Sequence, residues 1–128
     1  MAKYAENKEI LKWIIGYRKD GNKRDANRLG KLFIDIANNY IHSPRFINYH
    51  NLHDQMKSDA ILYMWKYQHN FNLDFNNPFA YFSTYAWNAF IAVINRYYEE
   101  KEIKMSLKFI DNIERIEEDR VIIKIDKN

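Results

Sequence analysis

The residues best suited to chemistry in this chain are aromatic side chains concentrated between positions 79 and 98. This segment carries an unusually dense apolar set: Phe79, Tyr81, Phe82, Tyr85, Trp87, Phe90, Val93, Ile94, Tyr97 and Tyr98. A single amphipathic helix face buries about half of such a set. The remaining side chains must therefore meet another element, a partner, or a ligand with flat apolar faces.

Other candidate chemistry is poorly supported. His50, His53 and Asp54 lie close together, but the pattern lacks the further ligands of a tetrahedral metal site. Asp54 and Asp59 are five residues apart, so on a helix they face different directions and make a poor acid/base pair. The three glycines are scattered, which excludes a glycine-rich phosphate loop. We therefore expect a protein that is not an enzyme and needs no metal or nucleotide cofactor.

Composition restricts the class of protein further. The chain has no Cys, which excludes disulfides and thiolate metal sites and favours a reducing compartment. No apolar run reaches the length of a membrane span, and the first residues lack the apolar stretch of a signal peptide. The sequence predicts a cytoplasmic protein without a membrane partner.

Positive charge is concentrated in the front of the chain. Residues 1–53 carry ten Lys or Arg against five Asp or Glu, a balance that is compatible with binding nucleic acid. Lys23, Arg24, Arg28 and Lys31 are either a solvated helix surface or contacts to phosphate groups, and the sequence leaves both alternatives open.

The segments that carry these residues are predicted to be helices, since Gly and Pro are rare in the chain. We predict an all-α fold: a compact domain of four principal helices over residues 1–105, with a short C-terminal extension over residues 106–128. Asn7 is the predicted N-cap of the first helix, and Pro78 suits the first position of the fourth. The predicted helices span residues 7–17, about 25–41, 54–69 and 78–100.

Apolar spacing predicts which helix faces are buried. The second helix has a stripe at Leu29, Leu32, Phe33, Ile36, Ala37 and Tyr40, and the third turns Met56, Ala60, Tyr63, Met64 and Tyr67 inward. Trp13 and Trp65 are predicted core residues. In the extension, residues 108–118 could form a short amphipathic helix, whereas residues 121–125 have strand-like composition.

An ordered set of motifs resembles region 2 of the bacterial sigma factors. Ile36-Ala37-Asn38-Asn39-Tyr40 resembles the end of the first region 2 helix, and the segment 54–61 resembles the start of the polymerase-binding helix. His69-Asn70-Phe71-Asn72 resembles the connection that follows it. Phe82-Ser83-Thr84-Tyr85-Ala86 matches the family's most recognisable pentapeptide. The similarity covers about residues 7–105.

Several strings are closer to the late-transcription sigma factors of T-even-like phages. They are Asn7-Lys8-Glu9-Ile10-Leu11, Asn77-Pro78-Phe79-Ala80-Tyr81 and Asn88-Ala89-Phe90. The resemblance implies a subunit that binds RNA polymerase core, recognises an A/T-rich −10-like promoter element and supports its opening. Aromatic faces suit that task, because stacking an unpaired base returns about 1–3 kcal/mol against the cost of unpairing it.

The resemblance also implies the site residues. Those expected to contact promoter DNA are Tyr81, Phe82, Ser83, Thr84, Tyr85, Trp87, Asn88, Asn95 and Arg96. Those expected to contact the clamp helices of the largest polymerase subunit are Asp54, Gln55, Met56, Asp59 and Tyr63. Composition alone would make Phe82 and Tyr85 core residues, whereas the resemblance places Tyr85 against a flipped base.

The chain departs from the family pattern at two points. Primary sigma factors carry a Trp pair where this chain has Asn88 and Ala89, with Trp87 one residue earlier. Ala92 stands where primary sigma factors read the most upstream −10 base pair, and an alanine cannot make a bidentate base contact. In primary sigma factors the Trp pair forms a wedge at the upstream fork of the opened DNA. We therefore expect that wedge to be altered in this chain, and the readout of the most upstream −10 base pair to be weakened.

The residues after Glu100 are too few for the helix-turn-helix that reads a −35 element. Late phage factors end instead in a motif that binds the sliding clamp. Phe109-Ile110-Asp111 and Val121–Ile125 are candidate equivalents here, and a sliding clamp and a late coactivator are candidate further partners. The alternative hypothesis is a phage regulator that occupies the sigma docking site on polymerase without promoter activity.

Overall fold

The computed structural model describes the backbone of residues 6–126 and the side chains of residues 6–114. Four α-helices follow one another along the chain, with two single 3₁₀ turns at His50–Leu52 and Gln68–Asn70. The helices are α1 (Asn7–Asp20), α2 (Lys23–Tyr40), α3 (His53–Tyr67) and α4 (Pro78–Asp126). The described residues contain no strand, so the all-α prediction is confirmed.

The chain forms two units, the first ending at Ile94 and the second beginning at Asn95. The predicted end of the fourth helix near residue 100 is wrong, because α4 runs to Asp126. The strand-like composition of residues 121–125 and the separate short helix over 108–118 are likewise overturned, since both lie within α4. No Gly or Pro follows Pro78 to interrupt the helical hydrogen bonds, and β-branched residues disfavour a helix only slightly.

Two neighbouring residues separate α1 from α2. Gly21 ends α1 in the left-handed conformation (φ 60°), and its N–H donates to the Tyr17 carbonyl at 2.9 Å. A side chain larger than hydrogen is disfavoured at this φ, which explains the glycine. The Asn22 side chain then caps α2 by accepting the Arg24 N–H at 2.9 Å. This cap starts α2 at Lys23, two residues before the predicted position.

The start of α4 is fixed partly from α1. The prediction that Asn7 is the N-cap of α1 is wrong, because Glu6 precedes that helix and makes no side-chain cap. Asn7 Oδ1 instead accepts the Phe79 N–H at 3.0 Å, while Asn77 Oδ1 accepts the Ala80 N–H at 3.1 Å. Two free N–H groups of the first turn of α4 are thereby satisfied, one of them by a residue 72 positions away.

The core of the first unit draws on all four helices and on the α2–α3 connection. The predicted buried stripe of α2 is confirmed apart from Tyr40, which is partly buried, and in α3 Met56, Ala60 and Met64 are buried. The fully buried large side chains are Phe33, Phe46, Phe82, Phe90, Ile10, Ile14, Leu29, Ile36, Ile41, Met56, Met64 and Gln68. Trp13 and Trp65, predicted as core residues, are partly buried against this cluster.

Arg18 of α1 holds the connection between α3 and α4. Its Nη2 donates to the carbonyl of Gln68 and, at 2.8 Å, to the carbonyl of Phe71. Gln68 is fully buried, so its backbone oxygen depends on a protein donor. The segment that leads into α4 is therefore tied to the end of α1.

In the second unit, the described side chains from Asn95 to Glu114 are exposed apart from partly buried Tyr97. They include several large apolar residues, among them Ile103, Leu107 and Phe109. Among the described helices, none combines the length and the apolarity that crossing a bilayer would require.

Candidate nucleic-acid interface

The first half of α4 divides into a buried side and a solvent-facing side. Phe82, Ala86 and Phe90 are fully buried against the other helices. Thr84 and Asn88, one turn apart, are exposed on the opposite side. The helix therefore presents a short polar strip to solvent, and aromatic residues flank this strip on both sides.

Tyrosines form the first flank. Tyr85 stacks on Tyr67 of α3 with ring centroids 4.5 Å apart and an interplanar angle of 12°. Tyr81 meets Tyr85 at 4.8 Å in a T-shaped arrangement and donates its hydroxyl to the Tyr67 carbonyl at 2.7 Å. The Lys66 ammonium lies 5.4 Å from the Tyr67 ring. This tyrosine cluster (Tyr67, Tyr81 and Tyr85) is held by stacking and hydrogen bonding, with a cation beside it.

The hydroxyl of Tyr81 is held in its neutral form. Burial, followed by hydrogen bonding with Tyr85, raises the pKa of Tyr81 well above its ordinary value, and nearby Arg18 offsets this only in part. An ordinary phenol is already neutral at physiological pH, so the raised pKa extends to more alkaline pH the range in which Tyr81 donates to the Tyr67 carbonyl and links α4 to α3.

Trp87 forms the second flank. Its ring meets Phe46 at 4.6 Å and Tyr40 at 6.3 Å, both edge to face. The Arg45 guanidinium lies 5.6 Å from the Trp87 centroid and 5.9 Å from the Phe46 centroid. Because Phe46 is fully buried, it anchors a half-buried tryptophan and an exposed arginine at the surface.

A shallow, open depression lies beside Trp87. Its volume is about 420 Å³, and it is lined by Tyr40, Ser83, Thr84, Trp87 and Asn88. The Ser83 hydroxyl is buried without a hydrogen-bond partner. Thr84 donates to the Ala80 carbonyl at 2.8 Å, so its oxygen is left to accept. The depression thus combines two aromatic walls with small polar groups, a chemistry that suits a flat, partly polar ligand.

The structure brings together most of the residues predicted to contact DNA. Ser83, Thr84, Trp87 and Asn88 line the depression, and Tyr81 and Tyr85 form the tyrosine cluster. Phe82 needs a correction. It is fully buried, and its ring lies 4.8 Å from Phe33, so in this conformation it supports α4 from beneath and is not accessible to DNA.

Asn95 and Arg96, the other two predicted DNA contacts, belong to the second unit. Both side chains are exposed there. Ala92, at the predicted upstream readout position, is partly buried and lies in the first unit.

The predicted polymerase-binding residues lie along the first turns of α3. Asp54 and Gln55 are exposed, and Gln55 Nε2 donates to Asp59 Oδ1 at 2.7 Å. Tyr63 is partly buried, and its ring centroid lies 6.1 Å from that of Tyr67 in a T-shaped arrangement. Met56 requires a correction, because it is fully buried and cannot reach a partner in this conformation.

Three residues of the two candidate surfaces were not predicted from the sequence: Leu62, Lys66 and Arg45. Leu62 is 64% exposed in the middle of the α3 surface, and Lys66 lies one turn further along. Leu62 and Lys66 are seven and eleven residues after Gln55, so on a helix they lie on the same face as Gln55. This spacing could have identified both from the sequence. Arg45 carried no such signal, because it lies outside the helices and its neighbours are set by tertiary packing.

His50 and His53 make contacts that position a neighbouring segment. The rings of His50 and His53 are 5.3 Å apart, and His53 Nε2 hydrogen-bonds the Phe46 carbonyl at 2.9 Å. Among the side chains of residues 6–114, no group of three or more His, Asp or Glu could hold a metal ion. His53 therefore helps to position the segment that carries Phe46.

The basic residues of α2 are exposed at Lys23, Arg24, Arg28 and Lys31. The Arg28 guanidinium lies 5.9 Å from the Trp13 ring of α1. This placement fits either a solvated surface or contacts with phosphate groups.

Comparison with known proteins yields no relative. No family model, no curated protein and no solved structure matches this chain.

Proposed function

We propose that this chain is a promoter-specificity subunit of the late phage sigma type. It binds host RNA polymerase core in the bacterial cytoplasm, recognises an A/T-rich −10-like element and supports strand opening. The role is non-catalytic and uses no metal or nucleotide cofactor. The observation that carries the proposal is the exposed strip at Thr84 and Asn88 on α4, flanked by the tyrosine cluster and Trp87.

The energetics of opening favour such a surface. Extruding a base from a duplex costs a few kcal/mol, and stacking on an aromatic side chain returns about 1–3 kcal/mol per base. Tyr85 and Trp87 are both partly buried and braced by neighbouring rings, so little side-chain entropy is lost when a base binds. Two such positions along α4 are enough to offset the unpairing of one or two bases.

Charge near these rings supports the same proposal. Lys66 lies beside Tyr67, and Arg45 lies beside Trp87, so each aromatic flank has a cation within 6 Å of a ring. Surfaces that bind single strands combine aromatic stacking with basic groups that follow the backbone. We expect binding to weaken as salt concentration rises.

The exposed surface of α3 is the proposed docking site for polymerase. Asp54, Gln55 and Asp59 supply polar groups, and Leu62 supplies an exposed apolar centre. A hydrophobic centre with a polar rim is typical of protein interfaces. The proposed partner surface is the pair of clamp helices of the largest subunit.

The extension offers a candidate contact for a sliding clamp or a late coactivator. Phe109 and Ile110 are exposed in the second unit. The other candidate motif, Val121–Ile125, has side chains outside the described residues.

Two measurements with purified protein test the proposal. The first is retention of core polymerase, and the second is transcription from a supercoiled template with an A/T-rich −10-like element. We expect both core binding and a defined start site. Retention without specific transcripts would support the alternative, a regulator that occupies the docking site, and absence of retention would refute both.

Matched variants separate the two surfaces. Leu62→Asp should abolish core retention, because it places a charge at the centre of the α3 surface. Tyr85→Ala should keep core retention and lose promoter opening, and Tyr85→Phe should keep both. Circular dichroism confirms that each variant is folded. A Tyr85→Ala protein that unfolds would instead make this ring a structural element of the tyrosine cluster.

A further inference from the structure

Arg45 occupies an unusual place in the α2–α3 connection. The side chain is exposed, yet its guanidinium lies over two rings, 5.6 Å from the Trp87 centroid and 5.9 Å from the Phe46 centroid. Phe46 is fully buried, and His53 hydrogen-bonds its carbonyl at 2.9 Å. The backbone that carries this cation is therefore anchored to the core through the neighbouring residue.

The chemistry of arginine makes this arrangement useful for binding an anion. A guanidinium that rests on aromatic rings through its flat face keeps the N–H groups on its edge available. Those groups match two oxygens of a phosphate or carboxylate in one plane. Since Trp87 also lines the open depression, the cation lies at the rim of the surface where a strand would stack.

We propose that Arg45 binds a backbone phosphate of the DNA strand that lies along α4, next to the base that meets Trp87. This inference rests on the proposed function. The other groups around the depression are hydroxyl, amide and aromatic, so they can hold a base but cannot neutralise its phosphate. Arg45 supplies that missing charge, and the same contact keeps the Trp87 ring in position for stacking.

The test uses the complex of the full chain with core polymerase and a forked DNA whose single strand carries the A/T-rich element. Affinity is measured over a series of salt concentrations for the wild type, Arg45→Gln and Arg45→Lys. We expect Arg45→Gln to lower affinity by about tenfold, as for loss of one charge-assisted hydrogen bond. The slope of log affinity against log salt should fall by about 0.7, the value for one phosphate contact on a single strand. Arg45→Lys should keep most of the slope and lose part of the affinity, because it has charge without the fork geometry.

Lys19→Gln is the matched control. Lys19 is also an exposed cation, in the last turn of α1, and it is not among the predicted DNA or phosphate contacts. We expect this control to leave affinity and salt slope close to wild type. Equal losses in both variants would mean that only overall charge matters, and this would overturn the specific role of Arg45.

Neutral methylphosphonate linkages, placed one at a time along the single strand, locate the phosphate. At one linkage the wild type should lose affinity as Arg45→Gln does, and the variant should lose nothing further there. Additive losses at every linkage would refute the contact. Weaker core retention by Arg45→Gln with unchanged DNA binding would assign Arg45 to a protein carboxylate. If the wild-type complex shows no DNA binding, the proposed function fails and this inference fails with it.

Discussion

Replacing Arg18 with methionine tests how the connection before α4 is held. Methionine matches the unbranched stem of arginine and tolerates burial, but it is shorter and donates no hydrogen bond. The change removes both donations from Nη2, to the carbonyls of Gln68 and Phe71. Because the Gln68 side chain is fully buried, water has poor access to this position.

The expected loss follows from these contacts. Each hydrogen bond from a charged donor contributes about 1.5–3 kcal/mol, so two contribute roughly 3–6 kcal/mol. The Nε atom of Arg18 is buried without a partner, which offsets about 1–3 kcal/mol in the wild type. We therefore expect Arg18→Met to lower the free energy of unfolding by about 2–3 kcal/mol, and Arg18→Lys to lower it by less, since one ammonium can still reach a carbonyl.

Urea denaturation followed by circular dichroism measures this difference, and thermal melting should show a drop of roughly 10 °C. Lys19→Met is the control, because Lys19 is the exposed neighbour in the last turn of α1 and should change stability by only about 0.5 kcal/mol. A loss below about 1 kcal/mol for Arg18→Met would refute the reasoning, since the two charge-assisted bonds would then do little more than offset the buried Nε.

Three further predictions concern the helices that carry the site, each measured as the free energy of unfolding in urea. Gly21→Ala should cost about 1 kcal/mol, because φ is 60° there, and Gly21→Asn should cost less. Gly30→Ala should stabilise α2 by about 0.5–1 kcal/mol, since the added Cβ would meet the Trp65 ring at an acceptable 3.4 Å; a destabilised protein would show that the ring cannot adjust. Asn7→Ala should cost about 1 kcal/mol through lost capping of Phe79, and unchanged stability would mean that this bond contributes nothing.

Local patterns in the sequence were sufficient to identify the helices and most of their buried faces. The stripe of Leu29, Phe33 and Ile36 recurs at three- and four-residue spacing, and these side chains are fully buried. Gly21 and Asn22, two residue types common in turns, separate α1 from α2. These features were predictable because they depend on backbone conformations and periodicities within a few residues.

The end of α4 was not predictable in the same way. The sequence predicted a helix end near residue 100, but no Gly or Pro follows Pro78 and most of the residues there tolerate a helix, so α4 runs to Asp126. The role of Asn7 was missed for a different reason. Its partner Phe79 is 72 residues away, and no local pattern indicates such a hydrogen bond.

The sequence itself determined that residues 79–98 carry more aromatic and apolar side chains than one helix face can bury, and that these must meet more than one neighbour. Only the tertiary structure decided how the rings were divided. Phe82 lies in the core, Tyr85 stacks on Tyr67, and Trp87 lies at the surface beside Arg45. The physical reason is that burial depends on which helices pack against α4 and at what angle, and these contacts join residues far apart in the chain.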